Sequence, residues 1–168
     1  MKNWISVIIL FLIFSCVTKP KRPSYYLSTL ENIQDFQPIE KELKIIDSLN
    51  QKSKEFSEKC RRENLNCFEC GFTQSAEFKG GASKFREVLF NKFKLPKHAK
   101  EGENRIRVTI GKNNNLEKIE ILKYTDINSK KAIEDVFKLK ELNNWSSTKI
   151  YSIPAKRQFE ISIFIVNK

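Results

Sequence analysis

The chain has 168 residues, 40 % of them hydrophobic, which suffices for one packed domain and rules out a disordered chain. Lys and Arg number 31 against 20 Asp and Glu, a formal charge of +11, so the partners that charge alone allows are nucleic acid, anionic lipid or an acidic protein. Only one stretch is apolar enough to enter a membrane, and a polytopic membrane protein is thereby excluded.

That stretch is N-terminal. Lys2 is followed by an apolar-rich stretch from Trp4 to Phe14, then by the small Ser15 directly before Cys16. From Trp4 to Val17 a helix reaches only ~21 Å, short of a hydrocarbon core of ~30 Å, so the segment reads as a cleaved signal and not as a retained anchor. Ile13-Phe14-Ser15-Cys16 resembles a bacterial lipobox, in which the cysteine is acylated after cleavage. Residues 1–15 are therefore expected to be a lipoprotein signal peptide, with Cys16 the lipidated first residue of the mature chain. Export makes nucleic acid an unsuitable partner, and Lys19-Pro20-Lys21-Arg22 stands where it would meet lipid headgroups.

Residues 16–37 are polar, carry Pro20 and Pro23 and show no periodicity, which predicts a lipid-anchored tether without a fold of its own. Ile39, Leu43, Ile46, Leu49 and Phe56 then recur at helical spacing, supported by the Glu40–Lys44 and Glu55–Lys59 pairs, and predict a lone helix with Pro38 in its first turn. With the cysteine-bearing connector that follows, it makes a segment 38–75. An exported chain with clustered cysteines is expected to form one disulfide among Cys60, Cys67 and Cys70, the pairing being open.

From residue 76 to 168 the pattern is that of one domain. Gly80-Gly81 breaks the chain, Ser83 can cap a helix, and Phe85, Val88, Leu89 and Phe93 form its buried stripe. Leu95-Pro96 ends that helix. Ile106, Val108 and Ile110 alternate with polar residues, Gly111 to Asn115 supply a turn, and Ile119 and Ile121 continue the alternation, which predicts a hairpin with one wet face. A second helix is expected over 129–142, capped by Asp126 or Asn128, with Trp145 folding back onto the sheet. In Gln158, Phe159, Glu160, Ile161, Ser162, Ile163, Phe164, Ile165 and Val166, Phe159, Ile161, Ile163 and Ile165 fall on one face of a strand, and Glu160 and Ser162 fall on a wet one.

Chemistry is scarce. His98 is the only histidine and lies in a lysine-rich loop without an evident partner, so no catalytic group is assigned. Cys67-Phe-Glu-Cys70 has redox spacing but no βαβ unit before it. Cys60, Cys67, Cys70 and His98 have the composition of a zinc site, yet His98 is far from the cysteines in sequence, and neither a metal nor another cofactor is expected. The chain is not read as an enzyme.

The order helix, hairpin, helix, strand, with Ala76-Glu-Phe-Lys-Gly-Gly81, Leu95-Pro96, Trp145 and the strand 158–166, resembles the C-terminal domain of TonB, in its short Bacteroidetes form. The resemblance implies an α+β fold in which two helices cover one face of a small antiparallel sheet. It implies a periplasmic partner, a peptide or protein strand such as that of an outer-membrane receptor, added to the sheet edge formed by 158–166. Leu95-Pro96 stands where the family has tyrosine-proline, without the phenol. Pro20, Pro23 and Pro38 are the only prolines before the domain, so the long proline-rich spacer of an energy transducer is missing.

The resulting expectation is a cell-envelope lipoprotein, held at the periplasmic face of the outer membrane, that binds a partner by strand addition and serves TonB-dependent transport. A structural envelope lipoprotein is the alternative, and an envelope enzyme a weaker one.

Overall fold

A computed structural model describes residues 23–67 and 73–167, and its fold is α+β. The strands are β1 (Pro23–Leu27), β2 (Glu31–Asp35), β3 (Thr73–Gln74), β4 (Glu77–Phe78), β5 (Gly102–Ile110), β6 (Leu116–Lys123), β7 (Trp145–Ser146), β8 (Thr148–Ile150), β9 (Ile153–Ala155) and β10 (Arg157–Asn167). The helices are α1 (Glu40–Arg62), α2 (Gly81–Lys92) and α3 (Ile127–Phe137), with a 3₁₀ turn at Lys140–Leu142.

The main sheet is antiparallel, ordered β1-β10-β5-β6, and β2 joins β10 on the same side as β1. Ile106, Val108 and Ile110 of β5 and Phe159, Ile161 and Ile163 of β10 project from one face, as their period of two requires. Phe85 and Leu89 of α2 and Ile133, Val136 and Phe137 of α3 cover that face in a single core. Full burial of each such side chain is worth roughly 1.5–3 kcal/mol. Both helices therefore lie on one side of the sheet, as expected.

Phe78, Phe85, Trp145 and Phe159 meet in this core. Trp145 lies 5.2 Å from Phe78, 5.0 Å from Phe85 and 5.4 Å from Phe159 between ring centroids, and its Nε1 donates to the Leu142 carbonyl (2.9 Å). The Glu-Phe pair, the first helix, the tryptophan segment and the last strand are thus joined by four aromatic rings.

Local details differ from the sequence reading. The start of α2 is set by Gly80 and Gly81, both at positive φ (91° and 83°), and not by Ser83. A Cβ on Gly80 would stand 3.1 Å from the Lys84 side chain. α3 stops at Phe137, five residues early, because the 3₁₀ turn swings Leu142 fully into the core. α1 begins at Glu40 with Pro38 just before it, and Glu42 accepts from the Ile39 amide (3.1 Å). α1 buries only Ile46 and Cys60 and leaves Phe56 exposed, so it is a helix of little packing.

The expectation of an unstructured tether over 16–37 is corrected for its described part. Residues 23–35 form β1 and β2 and lie along the whole of β10. Burial explains why: Leu27 enters the core, and the Tyr25 ring packs 5.0 Å from Phe93 while its hydroxyl donates to the Phe90 and Phe93 carbonyls. The signal 1–15, Cys16 and residues 17–22 lie outside the described residues.

Candidate functional site

The strand 158–166, expected to be the open edge, is β10, and it is central. β5 pairs with it over nine positions from Arg157↔Ile110 to Ile165↔Gly102. On the other flank β1 pairs from Pro23↔Asn167 to Leu27↔Ile163, and β2 pairs from Glu160↔Glu31 to Arg157↔Asp35. Between them the Ser28 amide donates to the Ser162 carbonyl and the Ser162 amide donates to the Ser28 hydroxyl, both at 2.9 Å. The Phe36 amide closes the far end by donating to the Lys156 carbonyl (2.9 Å). The unpaired backbone that strand addition would require is therefore already used, by the chain's own N-terminal segment.

Glu160 and Ser162 are correspondingly not on a wet face: they are 6 % and 2 % exposed. A strand with neighbours on both sides has its outward side chains shielded by theirs, and the charges here are paired. Ser162 Oγ donates to Glu103 Oε1 (2.8 Å), Arg105 Nη2 donates to the same oxygen (2.8 Å), and Lys123 Nζ reaches Oε2 (3.1 Å). These bonds, that from Ser162 foremost, hold the Glu103 carboxyl at about 2, well below the ordinary carboxylate range. Asn32 Nδ2 donates to Glu160 Oε2 (2.8 Å), and Arg107 Nη2 donates to Oε1 (2.9 Å), and together they keep Glu160 ionised to lower pH than usual in spite of burial.

The segment that fills the flank is uneven. β1 is fastened by Leu27, Tyr25 and the Arg86 Nη2 bond to the Leu27 carbonyl (3.1 Å), whereas every residue of β2 is exposed. Asn32 sits at φ 50° where the register shifts inside β2, so 23–35 is two short strands, the second of them bulged, and offers no continuous outer edge.

The opposite edge of the sheet is regular over Lys118–Ile121, between register shifts that skip Glu117 and Leu122. β6 pairs with β5 from Arg105↔Lys123 to Ile110↔Leu116, and among the described residues no strand lies on its other side. Ile119 and Ile121 turn inward and are half-buried, Leu122 is exposed, and Lys118 and Glu120 pair with each other on the surface (3.0 Å).

Leu95 and Pro96, the pair carried over from the family pattern, are half-buried in the loop after α2, and the Pro96 carbonyl accepts from the Ala99 amide (3.2 Å). This loop and the outer side of α3 enclose a cleft of about 480 Å³ with Val136 and Leu139 at its floor and Lys92, Lys97 and Lys131 around it. His98 is exposed on its rim. Asp126 fixes the loop to α3: its carboxylate accepts from the amides of Lys100, Asn128 and Ser129 and from the Ser129 hydroxyl. Although burial opposes ionisation of Asp126, these bonds draw its titration well below the carboxylate range.

Cys60 and Cys67 form a disulfide with 6.0 Å between their Cα atoms, which closes the end of α1; Cys70 lies outside the described residues. The bond removes two of the four groups that could have ligated zinc. Among the described residues no helix is long and apolar enough to cross a membrane.

The residues that sequence reasoning missed are Tyr25, Leu27, Asn32 and Asp35. The run Ser24-Tyr-Tyr-Leu27 is a β-prone signal, obscured by the polar residues on both sides of it. No protein family, no curated protein and no solved structure matches the chain.

Proposed function

We propose that the chain is a cell-envelope lipoprotein, anchored through Cys16, whose domain is a protein-interaction module that recruits a strand of an envelope partner at β6. The observation that carries this reading is that Lys118–Ile121, the regular middle of β6, has no strand on its outer side among the described residues, while the flank of β10 is taken by residues 23–35. A guest strand gains main-chain hydrogen bonds from such an edge, and the exposed Leu122 beside it supplies an apolar contact. The TonB-like order of elements and the meeting of Phe78, Phe85, Trp145 and Phe159 support a periplasmic protein or peptide as partner, an outer-membrane receptor being the kind the resemblance implies. The signal pattern around Cys16 supports the anchor, with the periplasmic face of the outer membrane as its place. No step of this reading needs a cofactor.

Successive strand residues point their amides to opposite sides, so of Ile119 and Glu120 one donates to β5 and the other outward. Of Ile119→Pro and Glu120→Pro, the variant that stays folded by circular dichroism is the one whose amide points outward, and it should lose partner cross-linking from position 122. The corresponding alanine variant should retain it. Undiminished cross-linking in the folded proline variant would dispose of strand addition at β6.

A further inference from the structure

We infer that one end of the domain is a membrane-docking surface for anionic lipid headgroups, with Ile127 at its tip; this rests on the lipoprotein reading above. Cys16 is seven residues from Pro23, so the acyl anchor and the sheet can be separated by at most about 25 Å of chain. Pro23 pairs with Asn167, and Ile165 pairs with Gly102, so the chain emerges from the anchor at the end of the sheet where β5 starts and β10 finishes. Thr125 and Asp126, bound to Asn104 and Lys100, bring the start of α3 to that same end. Tyr25, bonded to the Phe90 and Phe93 carbonyls, brings the end of α2 there as well.

This end has the composition that a headgroup surface selects. Residues 92–102 hold four lysines and one acid, and residues 122–131 hold three lysines and one acid. That second acid, Asp126, is turned inward as the cap of α3. Lys97 and Lys131 are exposed and make no ion pair among the described residues. Among these charges stand the two apolar groups that the interface favours: Ile127, 67 % exposed on the first turn of α3, and Tyr124, 49 % exposed beneath the Lys130 ammonium (5.4 Å). Cations spaced around one aliphatic and one aromatic side chain, on a short leash from an acyl group, are complementary to an anionic bilayer. β6 then rises from the membrane at this end, with its open edge accessible from the side.

The test uses the full-length mature protein as the producing cell exports it, in phosphatidylcholine vesicles with and without one-third phosphatidylglycerol, both carrying brominated acyl chains that quench tryptophan on contact. Ile127→Trp reports the docking end, and Lys79→Trp, exposed before α2 at the other end, is the control; Trp145 is buried and contributes the same background to both. Ile127→Trp should lose most of its added emission in anionic vesicles only, recovering as salt approaches 1 M, where the screening length falls to about 3 Å. Lys97→Glu with Lys131→Glu should abolish the quenching while the protein still floats with the vesicles. Protein that floats with no quenching of Ile127→Trp, or with equal quenching in neutral vesicles, overturns the docking surface and leaves the anchor standing. Protein that does not float has no acyl anchor, and both readings fall.

Discussion

Arg157 on the central strand grips Asp35 on the segment beside it with two parallel hydrogen bonds, Nε to Oδ1 and Nη2 to Oδ2, each 2.6 Å. Thr148 donates to the same carboxylate (3.1 Å), so Asp35 ties residues 31–35 both to β10 and to the small sheet of β8. The Arg157 bonds, ahead of the Thr148 one, draw the Asp35 titration below its ordinary value although burial opposes it. Since β2 buries no side chain, this pair and the Asn32–Glu160 bond are its chief side-chain fastenings.

Asp35→Asn should therefore raise amide exchange over 31–36 while leaving 24–27 protected, because β1 is held independently by Leu27 and Tyr25. The loss of global stability should be small, about 1 kcal/mol or less, since the pair is partly solvated. Equal loosening of both strands would show that 23–35 moves as one unit.

Acid should weaken the polar face of the sheet in a defined window. The Glu103 carboxyl is depressed from 4.5 to about 2 in the fold, so the unfolded chain binds the proton first. Its contribution is then fully present above about pH 4.5 and is lost as pH falls through about 2. Glu160 and Asp35, also depressed, act in the same sense. Urea midpoints measured between pH 6 and 2.5 should fall, and Glu103→Gln should fall less steeply over that interval. An identical slope in the variant would remove Glu103 from the account.

Asp126→Ala should cost about 1–2 kcal/mol, the usual loss for a helix cap, and should also free the loop 94–100, whose Lys100 amide it holds. Asp126→Asn keeps an acceptor and should recover part of the loss. Thermal denaturation with both variants checks the order wild type, asparagine, alanine.

Reduction of Cys60–Cys67 should act locally. The loop is short, and its closure is worth about 2.5 kcal/mol at most on the chain-entropy estimate. α1 buries only Ile46 besides Cys60, so exchange should rise over the last turns of α1 with little change in the melting of the sheet. A cooperative loss of the whole domain on reduction would mean that α1 is part of the core.

The layers of the fold were legible where period and burial agree. Phe85 and Leu89, Ile106 and Val108, and Phe159 and Ile161 each have a single buried face, and the pattern names it. Strand order was not legible, because the alternation in Arg157–Asn167 has the same period whether the strand is central or at an edge. What made it central is Tyr25 and Leu27, two residues in a polar stretch whose value depends on Phe90, Phe93 and Ile163, all more than sixty residues away. The disulfide was legible as one bond among three cysteines, and only the end of α1 selects Cys60 with Cys67.

The central claim is that the flank of β10 is closed by residues 23–35 and that β6 carries the open edge. Residue-resolved amide exchange along Arg157–Asn167 and Leu116–Lys123 tests it most directly. The account predicts slow exchange at consecutive amides through the middle of β10 and an alternation of slow and fast amides along Lys118–Ile121 of β6. Alternating fast amides in β10, with 24–35 exchanging like a loop, would contradict it and return the edge to β10.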